Sequence, residues 1–305
     1  AMNDIIVRDA APADHASMAE VFRSCHPALL VSAASITHAA EAFADAGLAE
    51  FVAETEGRVV GVVSGWRNLW SREEGAVAVD VAVRPEFQRR GVGTLLMERI
   101  ERHLTGLGAR VTSANAENPE GIAFAAAHGF TTGRIARISR CDLAELPPAL
   151  AVPEDVRIVR LSEVDDLRAL HASDNLAAMD IPADRPFVPF SFEHWKAKQL
   201  GDPRIDHDLS LVAMVGEAYS AMTYLQRVGD RVHSAFTGTH PDFRGRGHAT
   251  VLKSLALHAA RTAGATEAFT ANDAKNAPML KVNTRLGYRP FLERTALRRE
   301  GVAGS

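Results

Sequence analysis

The chain has 305 residues, of which 47% are hydrophobic and 24% charged, and its formal net charge is −4 at pH 7. This composition is typical of a globular protein of about two domains, and it excludes a disordered chain, a collagen and a small disulfide scaffold. The mild negative charge provides no basic field for nucleic acid or an anionic membrane, so we expect neither as a partner.

The first half combines short strands with helices. In chain order we predict a strand at 5–8, helices at 14–24 and 35–46, strands at 50–54, 58–65 and 76–83, a helix at 91–107, a strand at 111–115, a helix at 120–128 and a strand at 134–143. The helix at 91–107 has the clearest pattern, because Leu96, Ile100 and Leu104 recur at helical spacing.

The second half follows a similar order. We predict strands at 156–160, 209–216, 218–228 and 231–239, then a helix at 247–263, a strand at 268–272 and a helix at 276–285. Successive strands followed by strand–helix units indicate an α/β protein of the mixed α+β type, with helices on the faces of a mixed sheet.

The two halves are copies of each other. Residues of the first half recur 156 to 158 positions later, in the pairs Pro85 and Pro241, Phe87 and Phe243, Gly91 and Gly247, Thr94 and Thr250, Asn115 and Asn272, Asn118 and Asn276, and Phe130 and Tyr288. So long a period indicates a domain duplication and not a solenoid. Because prolines interrupt regular structure, we predict domains at 1–146 and 154–305 with a linker at 147–153.

The two cysteines, Cys25 and Cys141, have no metal-ligand spacing. We interpret them as free thiols in a reducing compartment. The first residues show no basic segment followed by an apolar core, and no apolar run approaches the ~18 residues that span a bilayer. These features predict a cytoplasmic protein.

Each half has a basic, glycine-rich turn before its longest helix. Gly91 and Gly93, like Gly247 and Ala249, let a ligand approach the backbone closely. The first N–H groups of a helix have no partner within it, so the turn suits a pyrophosphate. No Gly-Lys-Ser/Thr phosphate loop occurs, and the third glycine of a dinucleotide fingerprint is missing. We therefore do not expect nicotinamide-dependent chemistry.

These segments resemble the GNAT superfamily of acyl-CoA-dependent N-acyltransferases, in its tandem two-domain bacterial form. Gln88 to Gly93 and Arg244 to Ala249 fit the family's pyrophosphate loop, and segments 181–184, 189–195 and 276–280 resemble the tandem members. The resemblance implies two GNAT-like domains, each a splayed, mostly antiparallel mixed sheet flanked by helices.

The resemblance also implies that acetyl-CoA is the cofactor. In the first half it assigns contacts to Val81, Val83, Gln88, Arg89, Arg90, Gly91, Val92, Gly93, Thr94, Asn115 and Asn118. In the second half it assigns them to Thr237, Thr239, Arg244, Gly245, Arg246, Gly247, His248, Ala249, Thr250, Asn272 and Asn276.

The catalytic groups are less clear, because the chain departs from the family pattern. Many members have a tyrosine general acid where this chain has Ala125 and Asn283. Asp80 is a candidate base, since it is a carboxylate in an apolar strand. Thr237 and Asn283 are the candidates of the second half, and the other polar candidates there are Glu217, His233, His240 and Asp273.

Two interpretations of the duplication remain open. In one the second half is catalytic, with Tyr219 and Tyr224 near the acceptor and the segment 187–195, which includes Trp195, as a lid. In the other the first half is catalytic, with Asp80 as base and Trp66 and Trp70 lining the acceptor pocket.

The expected reaction moves an acetyl group from acetyl-CoA directly to a primary amine of a small molecule. The alternative is an acyl-CoA-binding regulatory or scaffold module without turnover, which the missing tyrosines suggest. The sequence does not identify the amine, and it is compatible with a monomer or a homodimer.

Overall fold

The computed structural model describes residues 5–179 and 188–301. They form two compact units, one of residues 5–135 together with 293–301 and one of the described residues between 136 and 292. Each unit is a mixed, mostly antiparallel sheet flanked by helices, so the predicted fold class is confirmed. No helix in the described ranges is long and apolar enough to cross a membrane.

The elements of the first half alternate as the sequence predicts. They are β1 (Ile6–Asp9), α1 (His15–Cys25), α2 (Ala33–Ala42), β2 (Ala49–Thr55), β3 (Arg58–Arg67), β4 (Ala76–Val83), α3 (Val92–Gly106), β5 (Val111–Ala116), α4 (Pro119–Ala127) and β6 (Thr131–Asp142).

The second half repeats this order with a longer irregular region after its first helix. Its elements are β7 (Arg157–Arg160), α5 (Leu167–Ala178), α6 (Phe192–Trp195), β8 (Leu211–Val215), β9 (Ala218–Val228), β10 (Arg231–Thr239), α7 (His248–Thr262), β11 (Glu267–Asp273), α8 (Ala277–Arg285) and β12 (Arg289–Glu300). The sequence did not predict α5, α6 or β12.

The two sheets share one topology. In the first unit β1 to β4 are antiparallel neighbours, β5 runs parallel to β4, and the last part of β12 pairs antiparallel with β5. In the second unit β7 to β10 are antiparallel, β11 is parallel to β10, and the last part of β6 pairs with β11.

The last strand of each sheet therefore comes from the other half of the sequence. Residues 136–142 of β6 lie in the second unit, and residues 295–300 of β12 lie in the first. The unit boundaries therefore fall after residue 135 and before residue 293. The backbone hydrogen bonds between β6 and β11, and between β12 and β5, hold the end of each strand in the other half's sheet. The domain boundaries at 146 and 154 stay a prediction about the sequence repeat.

The core of the first unit has two layers, one on each face of the sheet. On one face α3 buries Leu96, Ile100 and Leu104 against β3 and β4. On the other face α1 packs Met18 and Val21 against the strands. Side chains alternate along a strand, so Asp80 of β4 points to the α1 face while its neighbours Val79 and Val81 belong to the α3 layer.

Candidate active site

A cavity of about 370 Å³ opens in the first unit between β4 and β5. The two parallel strands are paired only from Ala76 to Ala78 on β4, and beyond that point they share no ladder. All the first-half residues predicted to bind the cofactor line this cavity except Arg90 and Val92. The guanidinium of Arg90 lies 5.5 Å from the Phe87 ring centre, and Val92 is buried in the core.

The turn before α3 leaves its backbone open to the cavity. Gly91 has φ +82° at the N-terminus of the 15-residue helix, and no side chain caps that end. A Cβ at position 91 would meet open space, whereas one at position 93 would lie 3.0 Å from the Phe124 ring. Arg89 is held at φ +60°, a conformation that non-glycine residues rarely adopt and that often marks a functional site.

These features fit a pyrophosphate group. Unpaired helix N–H groups bind anions, and the positive end of the helix dipole adds to this attraction. Gln88 supports the turn, because its Nε2 donates a 2.9 Å hydrogen bond to the Val83 carbonyl. Asn118 caps α4 by accepting a 2.7 Å hydrogen bond from the Gly121 N–H while lining the cavity. The cavity can therefore hold the phosphates at the turn and an extended arm between the strands.

Polar residues form a row across the α1 face of the same sheet. Glu50 of β2 is opposite Ser64 of β3, and Ser64 is opposite Asp80 of β4. Burial raises the pKa of Glu50 to about 7. Asp80 is exposed by surface area, but the protein groups packed around it also raise its pKa by desolvation, and His26 and Arg294 oppose that shift. Among the described residues, no hydrogen bond or ion pair engages the Asp80 carboxylate. It is thus available to a ligand.

Three further ionisable residues lie beside Asp80. His26 and Glu117 line the cavity, and both, with Arg294, are close enough to interact electrostatically with the Asp80 carboxyl group. The Nδ1 atom of His26 lies 3.0 Å from Glu117 Oε2. Arg294 donates hydrogen bonds of 2.9 and 2.7 Å to Glu117 Oε1. Sequence reasoning missed these residues, because they come from three distant segments.

Of the two predicted aromatic residues of the first half, Trp66 lies on this face. Trp66 follows Ser64 by two residues on β3, so it points to the same face of the sheet as Asp80. Trp70 lies beyond the strand, with its ring 6.0 Å from that of Phe43. Both tryptophans are half-buried.

The second unit has the same glycine turn, but the residues next to the turn make other contacts. Gly245 and Gly247 have φ values of +76° and +79°, and both have open space where a Cβ would lie. Arg246 stacks on Phe243, with its guanidinium 5.1 Å from the ring centre. The His248 side chain is buried, with Nδ1 2.9 Å from Ser220 Oγ, and burial lowers its pKa. Only the His248 backbone is therefore free for a ligand at the turn.

A buried hydrogen-bonded network occupies the positions that match the cavity lining of the first unit. Lys253 Nζ donates a 2.8 Å hydrogen bond to Asn283 Oδ1, and Asn283 Nδ2 donates one of 2.6 Å to Asn272 Oδ1. Burial lowers the pKa of Lys253 to about 7. The matching residues of the first half are Met97, Ala125 and Asn115, and all three line the cavity. Asn283, predicted as catalytic, is 2% exposed and holds this network together.

The predicted aromatic site residues of the second half lie in its core, whereas Thr237 and Asn276 are half-buried. Tyr219, Tyr224 and Trp195 are 7%, 3% and 1% exposed. Thr237 Oγ1 lies 2.8 Å from Thr223 Oγ1. Asn276 caps α8 by accepting a hydrogen bond from Met279. Segment 181–184 and Phe187, at the start of the predicted lid, lie outside the described residues.

Asp174 is a buried carboxyl group that the sequence did not single out. Burial raises its pKa to about 6, and Tyr224 and Trp195 act in the opposite direction. Its surroundings are aromatic and closed. In the described ranges no three His, Cys, Asp or Glu side chains come together as a metal site would require.

Comparison with known proteins agrees with this geometry. The model of the acetyltransferase (GNAT) family matches residues 15–130 and again 175–288. The chain is 25% identical over 241 residues to a mycothiol acetyltransferase of Clavibacter michiganensis subsp. michiganensis (strain NCPPB 382), covering 77% of this chain and 74% of that one.

Two solved structures share the fold over nearly the whole chain. A tandem GNAT protein from the clavulanic acid biosynthesis pathway matches with a TM-score of 0.77 and 20% identity, covering 99% of this chain and all of that one. A GCN5-related N-acetyltransferase from Sphaerobacter thermophilus matches with a TM-score of 0.74 and 19% identity, over 99% and 97% of the two chains. The predicted resemblance is confirmed: the chain belongs to the acetyltransferase (GNAT) family, with one copy of the family's domain in each half, and is an N-acetyltransferase.

Proposed function

We propose that the chain transfers the acetyl group of acetyl-CoA to a primary amine of a small molecule, and that the first unit performs the reaction. The observation that supports this most directly is the combination in that unit of an open cavity, an uncapped helix N-terminus and a carboxylate, Asp80, with which no described residue pairs. In the second unit the matching positions are bonded to one another.

Acetyl-CoA fits the cavity by the chemistry of its lining. The α3 N–H groups and Arg89 would hold the pyrophosphate, and the exposed edges of β4 and β5 would pair with the amides of the pantetheine arm. When bound there, the cofactor supplies a thioester, which is an activated acyl donor. Enzymes of this family bind acetyl-CoA, and the lining of the first unit agrees with that chemistry.

The acceptor amine would approach from the α1 face. An alkyl ammonium has a pKa near 10.4, so at neutral pH it arrives as a cation that must lose a proton before it can attack. Asp80 has no hydrogen-bond or ion-pair partner among the described residues, and it would form an ion pair with this cation. Trp66, on the same face, would pack against the rest of the acceptor.

A panel of amines tests the proposal. The purified chain is incubated with acetyl-CoA and a diamine, an amino sugar, an amino acid amide or an amine that also has a thiol, and the acetylated product is measured by mass spectrometry. The last amine is included because one relative is named a mycothiol acetyltransferase. Acetyl-CoA binding without acetylation of any amine would favour a binding module over an enzyme.

Asp80→Asn is the matched variant for the acceptor. We expect kcat/KM for the amine to fall about tenfold or more, because a hydrogen bond between charged groups is worth about 1.5–3 kcal/mol. Calorimetry should give the same acetyl-CoA affinity as the wild-type chain. An unchanged kcat/KM would contradict the role of Asp80.

A cytoplasmic location, and a monomeric or homodimeric state, remain our predictions.

A further inference from the structure

We propose that His26 is the general base of the first unit, and that Glu117 and Arg294 position it. This inference rests on the proposed function and adds a named proton acceptor to it. Asp80 then binds the acceptor ammonium and His26 removes its proton.

The hydrogen bond to Glu117 decides which nitrogen of His26 is free. Burial alone would raise the pKa of Glu117, but the hydrogen bond from His26 and the charge of Arg294 bring it below its usual value. Glu117 is therefore a carboxylate, which only accepts hydrogen bonds. Since Nδ1 of His26 lies 3.0 Å from Glu117 Oε2, Nδ1 must be the protonated nitrogen. The lone pair of the neutral ring is then on Nε2.

Arg294 completes the arrangement by engaging the other carboxylate oxygen. Its Nε and Nη2 both donate to Oε1 of Glu117, which leaves Oε2 for the imidazole. The Glu117 side chain is 5% exposed, so water competes little for it. A carboxylate that fixes a histidine in this way is the usual means of orienting a catalytic base.

His26 lines the cavity, its side chain is 26% exposed, and in the described part of the chain no hydrogen bond reaches Nε2. A histidine that only anchored the end of α1 would not need to face a cavity. His26 is therefore close both to the cavity, where acetyl-CoA would bind, and to Asp80, which would bind the acceptor amine.

Two carboxyl groups and one guanidinium lie near His26. They are Glu117, Asp80 and Arg294, and Arg294 is already paired with Glu117. The adjacent Cys25 donates its thiol hydrogen bond to the Val83 carbonyl, and burial raises its pKa, so it does not compete as a base.

The reaction balances with one proton taken by His26. The ammonium gives one proton to Nε2 and becomes a neutral amine. The nitrogen then bonds to the carbonyl carbon, the carbon–sulfur bond breaks, and the second N–H proton ends on the departing sulfur. The imidazolium returns its proton to water, so each turnover releases one amide, one thiol and one proton.

The test compares the wild-type chain with His26→Gln and Glu117→Gln on the most reactive amine of the panel, across a range of pH. His103→Gln is the matched control, because His103 lies on α3 and contacts the Gly47 carbonyl. Acetyl-CoA affinity is measured for every variant, so that a folding defect is recognised. Added imidazole is tried as a substitute base with His26→Ala.

We expect His26→Gln to lower kcat about 100-fold or more near neutral pH with unchanged acetyl-CoA affinity. The difference in kcat between the wild-type chain and His26→Gln should shrink as the pH approaches the pKa of the amine itself, near 10.4, because a neutral amine needs no base. Glu117→Gln should change kcat in the same direction, and imidazole should partly restore His26→Ala.

Two results would overturn the inference and can be told apart. If the wild-type chain acetylates amines and the His26→Gln deficit is absent, or equal at every pH, then His26 is not the base although the proposed function stands. If the wild-type chain itself acetylates none of the amines, the proposed function fails and the assignment of His26 fails with it.

Discussion

Lys253 is a buried amine, and its hydrogen-bond partners among the described residues are neutral. It is 3% exposed, and its Nζ donates to Asn283 Oδ1 and, at 3.4 Å, to Thr270 Oγ1. Burial lowers its pKa from 10.5 to about 7. In the unfolded chain the same ammonium is solvated and titrates near 10.4. Protonation of Lys253 therefore lowers the free energy of unfolding of the protein.

The sign of the effect gives a prediction. Between about pH 7 and pH 10 the unfolded chain binds a proton on Lys253 that the folded chain does not, so stability should rise with pH by up to ~1.4 kcal/mol per unit. Lys253→Met, which introduces the residue of the first half, should remove this rise. Urea unfolding followed at several pH values measures it. Lys281→Met, at an exposed lysine of α8, is the control and should leave the rise intact. An equal pH dependence in both variants would contradict the account.

Strand β12 shows how far an element can be inferred from sequence. The strands and helices of the central repeat were predicted, because α3 and α7 have apolar positions at regular spacing. In β12 the buried side chains alternate as Thr295, Leu297 and Arg299. Because two of these three buried residues are polar, β12 lacks the alternation of apolar and polar residues by which a strand is predicted. Arg299 is accommodated there by Glu101, at 2.7 Å, a partner almost 200 residues away.

In the candidate site too, residues that stand out within their own segment were predicted, and residues that depend on distant partners were not. Asp80 and the glycine turn were predicted because each is unusual within its own segment. His26 and Arg294 are ordinary residues in their segments, and only tertiary structure brings them to Glu117. Glu117 lies between Asn115 and Asn118, so its position in the repeat was the one available signal for it.

The exchanged strand predicts where a mutation at the end of the chain acts. Leu297 is 4% exposed and packs in the core of the first unit, beside α3. Leu297→Ala should destabilise that unit by about 2–5 kcal/mol, the usual cost of emptying a core site. Acetyl-CoA binding in the first unit should become more sensitive to urea in parallel.

Ile135→Ala is the control for that experiment, because Ile135 is 40% exposed on β6. It should change the unfolding free energy by only about 0.5 kcal/mol or less. If Leu297→Ala left the unfolding of the first unit unchanged, the pairing of β12 with β5 would be wrong.

Across the whole molecule, duplication has kept the turn in both halves but not the side chains behind it. The first copy has Met97 and Ala125 at the cavity wall, and the second has Lys253 and Asn283 joined by a hydrogen bond. Seating a pantetheine arm there would break bonds to a buried ammonium, and an unmade hydrogen bond of a buried polar group costs about 1–3 kcal/mol or more.

We therefore expect one acetyl-CoA per chain, bound in the first unit. Isothermal titration calorimetry should give a stoichiometry near one for the wild-type chain. Gly91→Asp should weaken that binding by at least about 1–2 kcal/mol, because it places a carboxylate where the phosphates would lie. Gly247→Asp makes the same change in the second unit and identifies any site there. Two acetyl-CoA molecules per chain, with one lost in Gly247→Asp, would show that the second copy opens its network to bind.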